Sequence, residues 1–215
     1  MDIRYLGHAA FHIKTKTASV VTDPYNPEMV GLKFPKTEAD IVTISHHHPD
    51  HDFVQAVSGT PLIIDWPGEF EKLSVRIFGF PSFHDGKKGE ERGENIMYKF
   101  EAEDISLLHC GDLGHSLTDA MVEDIGGVDI VCIPVGGIYT INAAQAVDIV
   151  KKLEPSIIIP MHYNHPKLNQ DKFGTLSPLS EFMEKMGNPE ILPIPKLTVK
   201  KEDLMEEMKV VTFEI

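Results

Sequence analysis

Apolar residues along this chain fall in short runs more often than in long faces. "IRYL", "SVVT", "DIVTIS", "PLIID", "SVRIFGF", "ISLLHC", "DIVCIPV", "PSIIIPM" and "KVVTFE" each have strand length, β-branched content and a Gly, Pro or Asp at a border. Helical spacing stands out in two places. In "NAAQAVDIVKKL", Asn142 to Leu153, residues Ala143, Ala146, Val147 and Val150 share one face, Asn142 offers an N-cap and Pro155 stops the segment. In "SPLSEFMEKMG", Ser177 is expected as the cap, Pro178 in the first turn and Gly187 at the end. Strands in succession, followed by strands alternating with helices, predict a mixed α/β layer structure. No linker, repeat or low-complexity tract divides the chain, so residues 1–215 read as one domain. The one long polar interruption is "HDGKKGEERGEN".

Composition narrows the partners. With 33 acidic against 20 basic side chains the formal charge is −13, a field that repels a phosphate backbone or an anionic bilayer. Nucleic acid and membrane are therefore not expected partners, although a bound cation can reverse the sign locally. No apolar run approaches the roughly 18 residues of a spanning helix, and "MDIRYLGHAAFHIK" lacks a basic-then-apolar signal pattern. Cys110 and Cys132 lie in or at the end of apolar runs and read as buried, reduced thiols. The chain reads as cytoplasmic.

The chemistry concentrates in "SHHHPDH", Ser45 to His51, which holds four of the eleven histidines. In an extended segment His46 and His48 point to the same side and can reach one ion. Pro49 suits the first turn of a helix, which would aim Asp50 and His51 elsewhere. Two ligand pairs aimed in two directions suit two adjacent ions. Downstream, His84 follows "SVRIFGFPSF", Asp112 follows "ISLLHCG" and His162 follows "PSIIIPM". Alone, each has an ordinary structural explanation as a surface, core or turn residue. Together they stand past the ends of strands, where loops of an α/β scaffold converge on one crevice.

In this order and over nearly the whole chain, these residues resemble the metallo-β-lactamase superfamily. The resemblance implies His46, His48 and His84 as ligands of one metal, Asp50, His51 and His162 as ligands of a second, and Asp112 as the bridge. It implies that Asp23, in "VVTDPY", orients the ligand loop without binding metal. It also implies a four-layer αβ/βα sandwich, with two sheets face to face and helices outside. "YLGHAAF", "TDP", "HDGKKGEERGEN", "HCGDLGH", "PVGGIYTINAAQA" and "IIPMHY" resemble a narrower branch that includes L-ascorbate-6-phosphate lactonases, the phospholipase D acting on N-acyl-phosphatidylethanolamine and many uncharacterised hydrolases. No segment resembles the substrate arms of tRNA-processing nucleases.

The function so implied is a binuclear metal-dependent hydrolase. A metal-bound hydroxide would cleave a small ester, lactone or phosphodiester, with a small-molecule substrate that can be anionic. Imidazoles and carboxylates without thiolate favour two divalent ions, Zn²⁺ first, with Mn²⁺ or Fe²⁺ compatible. Asp112 would hold the ions apart, Asp50 would both ligate and exchange a proton, and His115, just past Asp112, could donate to the substrate or protonate a leaving group. Arg92, with Lys87 and Lys88, could meet an anionic group, although such runs are usually solvated. His8 could face the crevice or be structural. His165, in the loop after His162, is a weaker candidate than His115. His47, His12 and His109 read as structural, and Asn142 as a cap. Trp66 is expected in the core or on an apolar wall. Other functions on the same fold are a non-catalytic metal- or nucleotide-binding sensor and a diiron oxidoreductase. Self-association through an exposed apolar helix face is compatible with the pattern.

Overall fold

The structure is a computed structural model and describes residues 1–187, 191–204 and 207–215. One sheet has six strands: β1 (Asp2–Gly7), β2 (Ala10–Lys14), β3 (Ser19–Thr22), β5 (Ile41–Thr43), β7 (Leu62–Ile64) and β14 (Leu197–Thr198), in the order β14-β1-β2-β3-β5-β7. A pair of two-residue strands, β4 (Thr37–Glu38) and β6 (Val57–Ser58), lies apart from it. The other large sheet runs β15-β13-β12-β11-β10-β9-β8, from β8 (Gly68–Lys72), β9 (Val75–Phe83), β10 (Glu94–Ala102), β11 (Ile105–His109), β12 (Ile130–Pro134), β13 (Ile157–Met161) and β15 (Lys209–Val210).

Alternation along the strands sorts side chains between layers. Phe11, Ile13, Val20 and Ile41 of the first sheet meet Ile77, Met97, Phe100 and Leu107 of the second in the main core. Their neighbours Ala10, Val21 and Val42 face the opposite way into a second cluster with Tyr25 and Phe34. That cluster is closed by α1 (Pro27–Val30) and α4 (Gln170–Phe173), through Val30 and Phe173. The parallel strands β12 and β13 are buried along their whole length, as expected when layers cover both faces. α2 (Asp119–Ile125), α3 (Ala143–Leu153) and α5 (Leu179–Lys185) supply the outer layer, with Ile125, Ala146, Val150 and Phe182 in the core. This is the four-layer α/β sandwich expected from the sequence.

Asn142 caps α3 in a reciprocal capping box with Gln145. The second expected cap is not realised. Pro178 occupies the cap position of α5 without a side-chain bond, because Ser177 is tied into extended backbone: its N–H donates to Gly136 O at 2.8 Å and its carbonyl accepts from Asn164 N–H at 3.0 Å. β10 is not obvious in the sequence because nearly all its positions are covered, including Lys99. The ammonium of Lys99 is retained by donating to Ile125 O at 2.8 Å and pairing with Glu101 at 3.2 Å. Among the described residues no helix is long and apolar enough to cross a membrane. Both cysteines are buried and free, and burial pushes the Cys110 thiol up to about 12.

Candidate metal centre

β9, β11 and β13 run in one direction within their sheet, and the chain leaving them meets the loop that follows β5 of the other sheet. The loop Ser45–His51 follows β5, His84 follows β9, Asp112 follows β11 and His162 follows β13. All seven expected ligands converge there. His46, His48 and His84 form one group of candidate donors and Asp50, His51 and His162, with His8, form another; His46, His51 and Asp112 link the two. Within each group the donor atoms lie within 4.8 Å of one another.

Asp112 is the centre of the arrangement. Its Oδ2 is approached by Nε2 of His162 at 3.2 Å, of His51 and His84 at 3.3 Å, and of His46 at 4.0 Å. Burial alone would raise its pKa, but the imidazoles of His162 and His51 outweigh that and hold the carboxyl well below the usual range. Burial also opposes a charge on His51, yet Asp112 and Asp50 prevail and raise its pKa. His46 and His84 are shifted down by burial, which keeps their lone pairs free. The same effect takes His8 to about 4.

The fit to cations follows from what is left unpaired. Nε2 of His46, Nε2 of His51 and Oδ1 of Asp112 are buried without a hydrogen-bond partner. Buried polar atoms are costly unless something satisfies them. Convergent imidazoles and carboxylates with orphaned donor atoms match the needs of divalent ions, and the separation into two linked groups matches a pair.

The ligand loop is not helical at Pro49, contrary to the expectation from sequence. His48 N–H donates to His46 O at 3.2 Å and His51 N–H donates to His48 O at 2.8 Å, giving successive turns. A helix would fan these side chains around its axis; the turns return Asp50 and His51 toward His46. Asp23 fixes the loop. Its Oδ1 accepts Ser45 N–H at 2.8 Å, while Oδ2 accepts Ser45 Oγ–H at 2.6 Å and lies 3.0 Å from His51 Nδ1. Ser45 Oγ in turn stands 2.9 Å from His46 Nδ1. Asp23 therefore has the orienting part expected of it.

Two residues that position the site were not singled out in the sequence. Asn95, at the start of β10, accepts Asp112 N–H on Oδ1 at 2.9 Å and donates to Ser82 Oγ and Cys110 O. Asp85 accepts four backbone N–H groups, from Lys87, Gly89, Glu91 and Arg92 at 2.7–2.9 Å, which folds the polar loop and holds its carboxyl below the usual range despite the opposing effect of desolvation. The glycines of "HCGDLGH" also have a reason. A Cβ at Gly111, where φ is +55°, would meet Asn95 Oδ1 at 2.4 Å, and one at Gly114 would meet Asp85 N at 2.2 Å.

Other candidates separate clearly. Arg92 lines the mouth of the metal pocket with Lys172, its guanidinium carbon 5.9 Å from the centre of the Tyr139 ring. Lys87 pairs with Glu91 on the surface at 2.7 Å, and Arg92 lies 3.7 Å from the same carboxylate. His115 is not brought to the metal pocket. Its Nε2 accepts Phe83 N–H at 3.2 Å, its Nδ1 lies 2.9 Å from Ser116 O, and its ring faces a different cavity, lined by Phe80 and Met121. His165 lies outside the metal groups, its Nδ1 accepting Lys167 N–H. His47 is exposed between Asp52 and Asp65, and His109 is buried with Nε2 on Ala9 O at 2.8 Å. Trp66 is 72% exposed, so it is not a core residue; it borders a surface cavity beside His46 and His48.

Residues 2–162 match the β-lactamase superfamily domain. The chain belongs to this superfamily. A crystal structure from Thermotoga maritima, described as a candidate Zn-dependent hydrolase of the metallo-β-lactamase superfamily, is 35% identical, with 99% of this chain and 97% of that one covered and a TM-score of 0.81. A metal-dependent hydrolase of the UPF0173 group from Hyperthermus butylicus is 27% identical, covering 75% of this chain and 83% of the relative. The metallo-hydrolase Igni18 of Ignicoccus hospitalis, at 19% identity, 93% and 99% coverage and a TM-score of 0.65, shares the fold. With the ligand cluster set in this superfamily's fold, the chain is a metal-dependent hydrolase.

Proposed function

We propose that the chain hydrolyses a small anionic ester, lactone or phosphodiester at a pair of divalent ions. The observation that carries this reading is the cavity of about 330 Å³ above the ligands. His48, Asp50, His84, Asp112 and His162 border it, Met29, Tyr139 and Phe173 give it apolar sides, and Arg92 and Lys172 place positive charge at its edge. Its size suits a small molecule. In a chain of net charge −13, Arg92 and Lys172 at the mouth of a pocket with apolar sides favour a substrate carrying an anionic group away from the scissile bond.

His46, His48 and His84 would hold one ion, Asp50, His51 and His162 the other, and Asp112 both. Bound there, the ions supply Lewis acidity and bring the pKa of a water down to about 7. Asp50 takes a proton from the attacking water and returns it to the leaving group, and Asp112 sets the spacing of the two halves. Arg92, held over Tyr139, orients the anionic end of the substrate. The Zn dependence stated for the Thermotoga maritima protein supports Zn²⁺; the donor set also accepts Mn²⁺ or Fe²⁺. The lactone and phosphodiester classes follow the resemblance of "YLGHAAF" and "HCGDLGH" to the lactonase and phospholipase branch.

The test is metal analysis of the purified protein, followed by matched panels of charged and neutral lactones, phosphodiesters, carboxylic esters and thioesters. Two ions per chain and turnover of one anionic class are expected. Arg92→Ala should then lower kcat/KM for that class by about tenfold or more, through KM, and leave neutral analogues nearly unchanged. Equal losses for charged and neutral substrates would refute the role of Arg92.

A further inference from the structure

His8 occupies an improbable place for a histidine. β1 and β2 pair through Gly7 and Ala10, so His8 and Ala9 form a two-residue hairpin loop, and His8 takes φ +57°. Positive φ in such loops is normally left to Gly, Asn or Asp. The carbonyl of His8 is clamped in this conformation by Tyr5 Oη–H at 2.5 Å and by His162 N–H at 2.8 Å. Its ring is buried against His162 and Phe173, with centroid distances of 4.2 and 4.7 Å. Nε2 lies 3.0 Å from Asp50 Oδ2, across 42 residues of sequence. One hairpin residue thus touches two ligands of the same ion subsite, His162 through its carbonyl and its ring and Asp50 through Nε2.

We propose that His8 is the positioning residue of the Asp50/His51/His162 subsite: Nε2–H donates to Asp50 Oδ2 and fixes the carboxylate beside His51, whose Nε2 lies 3.6 Å from the same oxygen. The inference rests on the two-ion reading above. A carboxylate that is free to rotate can present either oxygen, or both, to a cation; a hydrogen bond on one oxygen fixes the plane of the group. Support of this kind behind a ligand is worth about 10–100-fold in metal affinity. The inward-facing ring also explains why the loop holds histidine in place of glycine: glycine would satisfy the backbone and leave Asp50 unsupported.

His8→Gly separates the two contributions, since it removes the ring and suits the positive φ, so the carbonyl can still hold His162. His8→Gln restores an N–H donor on a flexible chain. Both variants and the wild type are titrated with Zn²⁺ against a chromophoric chelator, and the Co²⁺-substituted forms are compared by visible absorption. His8→Gly should weaken one of the two ions by about 10–100-fold, leave the other within about threefold, and alter the Co²⁺ spectrum. His8→Gln should recover most of the affinity. Wild-type affinity for both ions in His8→Gly would overturn the inference while leaving the binuclear reading intact. Folded His8→Gln protein as defective as His8→Gly would also overturn it, because a ring nitrogen on the ion would then be required. Fewer than two ions on the wild type would remove both readings.

Discussion

His46, His48 and His84 make the outer half of the ligand cluster, and Asp50, His51 and His162 the inner half; they differ chiefly in what stands behind them. His51 is fully buried with a carboxylate on Nδ1, and Asp50 and His162 both contact His8. In the outer half His48 is only half-buried and His46 is supported by the hydroxyl of Ser45; Nδ1 of His84 in this half and of His162 in the other are both buried without a partner. The inner half thus has charged groups behind His51 and Asp50 and the outer half a hydroxyl behind His46, while both halves border the substrate cavity. A pair of ions can occupy similar donors and still be held unequally, because orientation of ligands contributes to affinity as well as their number.

The largest expected effect comes from removing the group common to both halves. Asp112→Ala should lower kcat by at least about 10³-fold and reduce bound metal below two ions per chain, because four imidazoles lose their central carboxylate. Metal analysis beside steady-state rates checks both parts; activity near the wild-type level would end the assignment of Asp112. Asp23→Asn tests the difference between the halves. It keeps the size of the side chain but removes the charge facing His51, and should cost about 10–100-fold in affinity at the inner ion. Ser45→Ala should act mainly on the outer ion and by less, since His46 loses its partner while Asp23 loses one hydroxyl donor and keeps Ser45 N–H and His51. The same affinity loss at both ions in both variants would mean that the halves are not distinct.

Protonation offers a gentler way to separate them. In the metal-free protein His8, His46 and His84 have pKa values below the ordinary 6.5, so the unfolded chain binds more protons and stability falls as pH drops from about 6.5 toward 4. His51 has the opposite sign: its raised pKa contributes stability that is complete below 6.5 and is lost as pH rises through the folded value. Asp50 and Asp112 are depressed, so their contribution is present above the ordinary carboxylate pKa and is lost at still lower pH. The thermal midpoint of chelator-treated protein should therefore decline between pH 6.5 and 4. A midpoint that rises over this interval would contradict the neutral state of the three imidazoles.

What could be read from the sequence follows how local each feature is. Four ligands sit within the six residues His46–His51, so their chemistry is visible without a fold, and His84, Asp112 and His162 are legible because each follows a strand-like run. Asp85 was hidden because its role is to close its own loop through backbone N–H groups, a pattern shared with ordinary turns. Asn95 was hidden because its partners are Ser82 of β9 and Cys110 and Asp112 of the loop after β11, all distant in sequence. His8 could be placed only near the crevice; which atom it meets depends on the hairpin conformation. Pro49 misled because proline favours both helix starts and turns, and convergence of the ligands decides for the turn.

His115 gives the smallest effect. Proximity to Asp112 in sequence made it a candidate for proton transfer, yet Leu113 is buried and Gly114 packs on the His84–Asp85 backbone, so the chain turns away before it reaches His115. Its nitrogens contact the backbone of Phe83 and Ser116, and loss of these partly exposed bonds should cost no more than about 1 kcal/mol. His115→Ala should keep kcat/KM within about threefold of the wild type and both ions in place. A loss of kcat beyond tenfold, with metal content unchanged, would show that the loop brings this ring to the substrate during turnover, and the proton transfer assigned to Asp50 would have to be divided between them.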